Sequence, residues 1–402
     1  MSPSASGLQC ILMLASYLLI ISIDDDESEL ALGQVLSVLE IRTYRKKLRA
    51  RGEYWKGRTH VHCDQIMYRE GTRMFKSWFR VNRSSFEHIL GLIQADTVFK
   101  STGRKPQLPV RYQLAAFLGR FGAETTLKLG STVGISEGSV HNCCKRVTRA
   151  LHRLRPQYLS WPDASTRLST KLRMQAAGFP GAVGVVDGSL IPLKSRPRNN
   201  PWSYWSRKKS YALAMQAVVD FQGRFISFDI GWPGSTNDTT MWKMSHIWRQ
   251  RHLYFNIDEW IMADKGYPIS AYTIRLFAEY DITGDAGVAE TRTQWNLAFS
   301  SKRVVVEHAF GQLKSRFPSL QAFPGWKLKS MYREIEALLI LHNICLAWRD
   351  LVETGDGFNE APPSLPQQGN HANAGDQANV RACGLVRRKQ LVEYWDTHIH
   401  RD

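Results

Sequence analysis

The sequence predicts a mixed α/β domain over residues 180–350, preceded by an all-α domain over residues 61–160 that contains a helix-turn-helix. Three observations carry this. Residues 181–345 alternate apolar strand-like runs with amphipathic stretches, the pattern of a mixed α/β fold. Residues 108–150 hold three segments of helical period, separated by Gly122 and by "GIS". The chain has 402 residues, 43% of them hydrophobic, with 13 Trp. That is enough apolar material for two or three domains, and it excludes wholesale disorder.

Residues 1–60 carry no clear assignment. The stretch "LQCILMLASYLLIISI" (8–23) is strongly apolar and runs straight into "DDDESE". It falls short of a membrane span. No Lys or Arg precedes it, so the basic start of a signal peptide is missing. It reads as a buried or partner-facing helix or an artefact of gene prediction, with a targeting or membrane role as the lesser alternative. Six cysteines, including adjacent Cys143 and Cys144 but no C-x-x-C pair, suit reduced thiols rather than a zinc site or a disulfide framework.

The helical domain opens with residues 67–98, where Phe75, Trp78 and Phe79 cluster. Ser84–Ser85 is placed to cap a helix carrying Phe86, Ile89 and Leu92. In 108–150, Leu114, Phe117, Leu118 and Phe121 recur at helical spacing until Gly122. Leu127, Leu129 and Val133 predict a second short helix, and Ser136 caps a third. The third helix puts Val140, Cys144, Val147 and Leu151 on its core side and His141, Lys145, Arg146 and Arg149 on the other. A helix, a tight turn and a basic helix match the helix-turn-helix plan, so Lys145, Arg146 and Arg149 are candidate phosphate contacts. An ordinary three-helix unit with a solvated basic face is the alternative. The net charge of +17 weighs toward a polyanionic partner.

Four carboxylates stand out in the α/β segment. Val183, Val185 and Val186 make a short strand with Asp187 at its end before Gly188, although an Asp-Gly hairpin turn would look alike. Asp238 lies in "DIGWPGSTNDTTMW" (229–242), where taken alone it reads as a helix cap. Asp264 ends the strand Trp260–Ala263, after which Gly266 and Pro268 turn the chain toward an amphipathic helix. Carboxylates beyond strand ends are where α/β folds place ligands. Glu307 shares a helical stripe with Arg303 and Lys314, beside the apolar face of Val306, Phe310, Leu313 and Phe317. A surface pair of Arg303 with Glu307 runs in the weaker order on a helix.

Such a set suits phosphodiester cleavage. Two hard divalent cations can activate an in-line water and stabilise the leaving oxygen, and they prefer carboxylate ligands. The stretch "LKSRPRNNPWSYWSRKKSYAL" (193–213) follows the first Asp. It offers Lys194, Arg207, Lys208 and Lys209 to a DNA backbone, with Trp202, Tyr204 and Trp205 among them to stack on bases or to pack. Residues 353–382 are rich in Pro, Gly, Asn and Gln and read as a disordered linker. Residues 383–402 read as a short basic helix.

The ordered set "GVVDGSLIPL", "KKSYALAMQAVVD", "DIGWPGSTNDTTMW", "MADKGYP", "VVVEHAFGQLKSRF" and "LLILHNIC" resembles the PIF/Harbinger transposases and the nucleases derived from them, members of the DDE endonuclease superfamily. The resemblance runs over about residues 180–350. It implies an RNase H-like catalytic domain, a mixed sheet flanked by helices, that cleaves DNA with Mg²⁺ or Mn²⁺. Asp187, Asp238, Asp264 and Glu307 match the family's acids and become the candidate catalytic and metal-binding residues. Arg303, Glu307 and Lys314 resemble the spaced Arg, Glu and Lys of related bacterial transposases, which adds Arg303 and Lys314 to the DNA contacts. Their usual Tyr, three residues before the Arg, is Ser300 here. Asp238 and Asp264 compete for the rank of second principal acid, and the loop acid is expected to show the milder defect.

The reading is therefore a metal-dependent DNA endonuclease of transposase origin, with strand transfer as a further step. The alternative is a domesticated DNA-binding or scaffold protein with an inactive nuclease domain. Expected partners are double-stranded DNA, a Myb-like DNA-binding protein such as this family often uses, and a second copy of the chain, but no membrane. The expected location is the nucleus, with the cytoplasm as a second compartment.

Overall fold

In a computed structural model, residues 59–101, 106–282, 285–325, 327–350 and 374–400 are described. The apolar stretch 8–23, the rest of segment 1–60 up to residue 58, and residues 353–373 of the linker lie outside them. Among the described residues the longer helices that come first are α1 Val61–Tyr68, α2 Thr72–Phe79, α3 Arg83–Ile93, α4 Val110–Phe121, α5 Thr126–Val133, α6 Glu137–Arg153 and α7 Ala164–Ala176, with the four-residue turn Arg155–Tyr158 between the last two.

Phe75, Phe79 and Phe86 pack ring against ring at 4.9–5.7 Å between centroids. The cap of α3 is Asn82, two residues earlier than Ser84. Ser85 is instead buried in the helix. Helix α4 stops at Phe121 with Gly122 as its cap. Helix α5 ends at Gly134, whose φ of 74° lies in the left-handed region that glycine adopts without strain. Ser136 caps α6 by accepting the N–H of Ser139 at 3.2 Å. Val140, Cys144, Val147 and Leu151 of α6 are buried, and so are Leu129 and Val133 of α5. Leu127 is exposed, because it lies on the outer side of a helix only two turns long.

The second half is a five-stranded mixed sheet flanked by helices. Strands β1 Ala182–Pro192, β2 Ala212–Val219, β3 Phe225–Pro233, β4 Trp260–Ala263 and β5 Thr273–Arg275 are ordered β3-β2-β1-β4-β5. The pairs β1–β2 and β2–β3 are antiparallel; β1–β4 and β4–β5 are parallel. Helix α8 Asp238–Met244 follows β3. Helix α9 Ala286–Arg316 follows β5 and α10 Leu328–Ala347 comes next. One sheet face buries Val185, Ala217 and Val219 with Phe299, Val306 and Phe310 of α9. The other buries Val183, Val186 and Val218 with Trp242 of α8. All four predicted apolar positions of α9, Val306, Phe310, Leu313 and Phe317, are buried.

Two segments differ from expectation. After Asp264 the chain forms the short strand β5 rather than an amphipathic helix. Pro268 and the β-branched pair Thr273–Ile274 favour extension, and β4 offers a parallel edge to pair with. At the C-terminus, helix α11 runs over Ala374–Trp395, so it begins inside the stretch read as a linker. Leu391 and Trp395 of α11 are buried, and Arg387 donates to the carbonyls of Ala271 and Glu259.

The helical segment packs directly on the sheet domain. Asp350 accepts the N–H of Asn82 at 2.7 Å and pairs with buried Arg316 at 3.4 Å. Arg316 also donates to the carbonyl of Arg80. Cys63, Cys143, Cys144 and Cys345 are buried free thiols, and Cys383 is an exposed one. Among the described residues, no helix is long and apolar enough to cross a membrane.

Candidate active site

The parallel register pairs Val185 of β1 with Met262 of β4. Two residues on, Asp187 and Asp264 stand level, and there the strands part. Strand β4 ends at Ala263, while β1 continues beside β2 to Pro192. This corrects the expected strand end at Asp187: the residue lies mid-strand, paired with Ala217. Ser189, Leu190 and Ile191 keep the chain extended against β2, so no Asp-Gly hairpin turn forms. The opening comes from the shortness of β4.

Asp238 enters from the next layer. Asn237 is the cap of α8, accepting the N–H of Thr240 at 2.8 Å. Asp238 is the first helical residue, not the cap. Its carboxylate reaches the glycines that follow the other two acids. A Cβ on Gly188 would stand 2.5 Å from Asp238 Oδ1, and one on Gly266 would stand 3.7 Å from Oδ2. The hydroxyl of Thr239 donates to the carbonyl of Gly266 at 2.7 Å, which ties α8 to the loop holding Asp264.

Glu307 joins through Arg303. Arg303 donates to Asp187 Oδ2 at 3.4 Å and to Glu307 one helical turn on. The ion pair considered from sequence is thus formed, but its arginine is largely buried and serves Asp187 as well. Glu307 is the most open acid of the pair-forming set, 45% exposed against 22% for Asp187.

The electrostatics follow from burial and from the charges these groups place on one another. Burial pushes Asp187 up to about 7; Arg303 and the Gly188 N–H oppose this, and Asp238 and Asp264 add to it. Burial also raises Asp238, with Arg207 opposing and Asp264 reinforcing. Burial would lower Arg303, but Asp187, Asp264 and Glu307 outweigh it and raise its pKa. Tyr267 is buried, and among the described residues its hydroxyl has no hydrogen-bond partner. Burial raises it well above its usual value, and the charges of Asp238, Asp187 and Asp264 raise it further.

These residues fit a hard divalent cation. The donors are all oxygens, and burial raises the pKa of both Asp187 and Asp238, a cost that a bound cation would offset. Among the described residues, no three His, Cys, Asp or Glu side chains already converge as a finished cage. The guanidinium of Arg303 stands between Asp187 and Glu307 instead.

The other predicted contacts divide. Arg207 is near enough to lower Asp238. Lys208 and Lys209 sit in a tight turn closed by the Ser206 N–H on the Ser210 carbonyl. The backbone N–H of Lys194 is anchored on the carbonyl of Phe323. Lys314 is half-buried, two turns beyond Glu307 and so about 10 Å along the axis. On α6, Lys145 and Arg149 are exposed and Arg146 is half-exposed. Lys145 acts electrostatically on Glu334 of α10 rather than on the acids.

Sequence reasoning missed Asn237, Thr239, Gly188 and Tyr267 as parts of the site. Asn before a helix start was a readable capping signal. The need for Gly188 and the burial of Tyr267 depend on α8 folding back, which no local pattern encodes.

Residues 186–343 match the family described as DDE superfamily endonuclease. The chain is 27% identical over 307 residues to "Putative nuclease HARBI1" of Bos taurus and, equally, of Homo sapiens, which covers 72% of this chain and 85% of each relative. It is 25% identical over 300 residues to "Protein ALP1-like" of Arabidopsis thaliana, covering 69% of this chain and 72% of that one. No solved structure matches it.

Proposed function

We propose that this chain, which carries a DDE superfamily endonuclease domain and is homologous to those Harbinger-derived proteins, is a divalent-metal-dependent DNA endonuclease. The observation that supports the reading is that Asp187, Asp238 and Asp264, from three separate elements, act on one another electrostatically beside the point where β1 and β4 part, with Arg303 paired to Asp187 and Glu307. An RNase H-like arrangement of the mixed sheet accords with this.

Asp187, Asp238, Asp264 and Glu307 would hold Mg²⁺ or Mn²⁺, which would supply a more acidic water and charge neutralisation at the leaving oxygen. The chain's own contribution is positional. Strand β1 fixes Asp187, the cap at Asn237 fixes Asp238, and the Thr239–Gly266 bond holds the third acid in register with the second. Arg303 balances the acids in the absence of cation, and it can turn to a phosphate oxygen once one is present. Arg207, Lys208, Lys209, Lys194 and Lys314 would hold the DNA backbone near the site. Lys145, Arg146 and Arg149 on α6 would bind duplex DNA as the basic helix of a helix-turn-helix. Strand transfer, a Myb-like partner, self-association and a nuclear location belong to the same proposal.

The test is nicking of supercoiled DNA by purified protein with Mg²⁺ or Mn²⁺, with and without the Myb-like partner. Asp187→Ala should abolish nicking; unchanged nicking would overturn the site assignment. The position of Arg303 favours a second reading, a DNA-binding scaffold whose acids are permanently neutralised by arginine. That protein would bind duplex DNA but show no cation-induced rise in thermal stability.

A further inference from the structure

The loop between β1 and β2 holds one side chain in an unusual state. Trp202 is 70% exposed, although it sits in a well-tied segment. Asn200 is left-handed, with φ 44°, a conformation that Asn tolerates better than most residues. The hydroxyl of Ser203 donates to the Asn200 carbonyl at 2.6 Å, and Pro201 starts the short helical turn that presents Trp202. The guanidinium of Arg196 lies 5.4 Å from the centre of the Trp202 ring. Trp205, next along, packs edge-on against Tyr211. Trp205 is itself 42% exposed, but Trp202 is the ring held furthest into solvent on this segment, with a cation against it.

The same segment is bolted to the acidic site. The carbonyl of Ser203 accepts both the N–H of Ser235 at 3.2 Å and its hydroxyl at 2.7 Å. Ser235 is three residues before Asp238. Arg207, five residues after Trp202, reaches Asp238 electrostatically. The ring thus stands on a support shared with one acid, with Arg196 against it and Lys194, Arg198 and Arg207 on the same stretch of chain.

The geometry points to a stacking site for an unpaired nucleobase, beside the phosphodiester held at the acids. This inference rests on the reading of DNA as substrate and deepens it. A ring fixed in solvent loses little conformational freedom on binding. Stacking accepts any base, because every base has a π-face. Arg196 at the ring and the further cations of this loop suit the backbone on either side of that base and do not suit an apolar peptide. The substrate is then DNA with a strand end or a locally opened base, rather than intact duplex alone.

The experiment compares full-length protein on a blunt duplex and on the same duplex with a short single-stranded overhang carrying 2-aminopurine. It is done in Ca²⁺ and followed by fluorescence anisotropy and by the 2-aminopurine signal. Wild type should prefer the overhang and shift its fluorescence. Trp202→Ala should lose roughly tenfold in affinity for the overhang while keeping its affinity for the blunt duplex, and Trp202→Phe should recover most of the loss. Trp202→Ala that binds both DNAs as wild type does, as a protein-anchoring tryptophan would, overturns the inference and leaves the endonuclease reading standing. Wild type that binds neither DNA overturns both.

Discussion

The carboxylate of Asp238 occupies the space that a side chain on Gly188 would need, its Oδ1 standing 2.5 Å from where that Cβ would be. The residue after the first acid is thereby fitted to the second. Gly188→Ala removes no charged group, yet it must push Asp238 aside. The carboxylate is the end of a short mobile side chain, so the stability loss should stay near about 1 kcal/mol. Nicking should fall as far as in Asp238→Asn. Comparing nicking rates and thermal unfolding of the two variants checks this, and wild-type nicking by Gly188→Ala would remove Asp238 from its position in the site.

Burial carries Asp187 from its ordinary 3.8 up to about 7, and the sign of the consequence follows. The folded protein holds this proton more tightly than the unfolded chain does. Metal-free stability therefore declines as pH rises from about 4 to about 7 and is level above. The limit for this one group is about 4 kcal/mol. A divalent cation binds the ionised form, so the rise in Tm on adding Mg²⁺ should be larger near pH 8 than near pH 6. Asp187→Asn should flatten both trends. An equal Mg²⁺ effect at the two pH values would count against Asp187 as a ligand.

These contacts mark what sequence could and could not foretell. The long runs were legible: Val306, Phe310, Leu313 and Phe317 have the period of the helix they form, and Ser136 announces the helix it caps. The mixed α/β sheet was legible as ordered motifs, and the same motifs single out Asp187, Asp238, Asp264 and Glu307 as the proposed acids. The place of Asp187 within β1 was not, because strand length there is set by pairing with β2, a partner some thirty residues away. The β5 strand was also hidden. Three residues carry too little pattern, and the β4 edge decides their state. In the sequence Arg303 reads as a DNA contact, with a surface pair to Glu307 as the weaker alternative. Only the packing of α9 on β1 makes it a partner of Asp187.

That double role of Arg303 yields its own test. Arg303→Met leaves Asp187, Asp264 and Glu307 without their shared cation, and Asp187 is the one most withdrawn from solvent among the pair-forming acids. Metal-free stability should fall by on the order of 3 kcal/mol, and Mg²⁺ should restore more in the variant than it adds to wild type. Arg303→Lys keeps the charge but not the two-pronged geometry, so it should fall between them. Calorimetry with and without Mg²⁺ decides. A metal-free Tm unchanged in Arg303→Met would show that solvent, not Arg303, balances the acids.

The basic face of α6 makes a graded prediction rather than a uniform one. If its cations meet phosphates, each lost contact should reduce the slope of log affinity against log salt by about 0.9. The three residues are not equivalent. Lys145 already acts on half-buried Glu334 of α10, whose carboxyl burial raises and whose neighbours Arg120 and Lys145 pull back down. Lys145 thus has a carboxylate of the fold within its electrostatic reach, whereas Arg149 is exposed on the same helix. Arg149→Ala should therefore take close to a full unit from the salt slope, and Lys145→Ala distinctly less. Arg146, half-exposed, should lie between them. Equal slopes for all three variants and wild type would mean that this face does not meet the DNA backbone. The duplex affinity of the protein would then have to come from the loop carrying Arg207, Lys208 and Lys209.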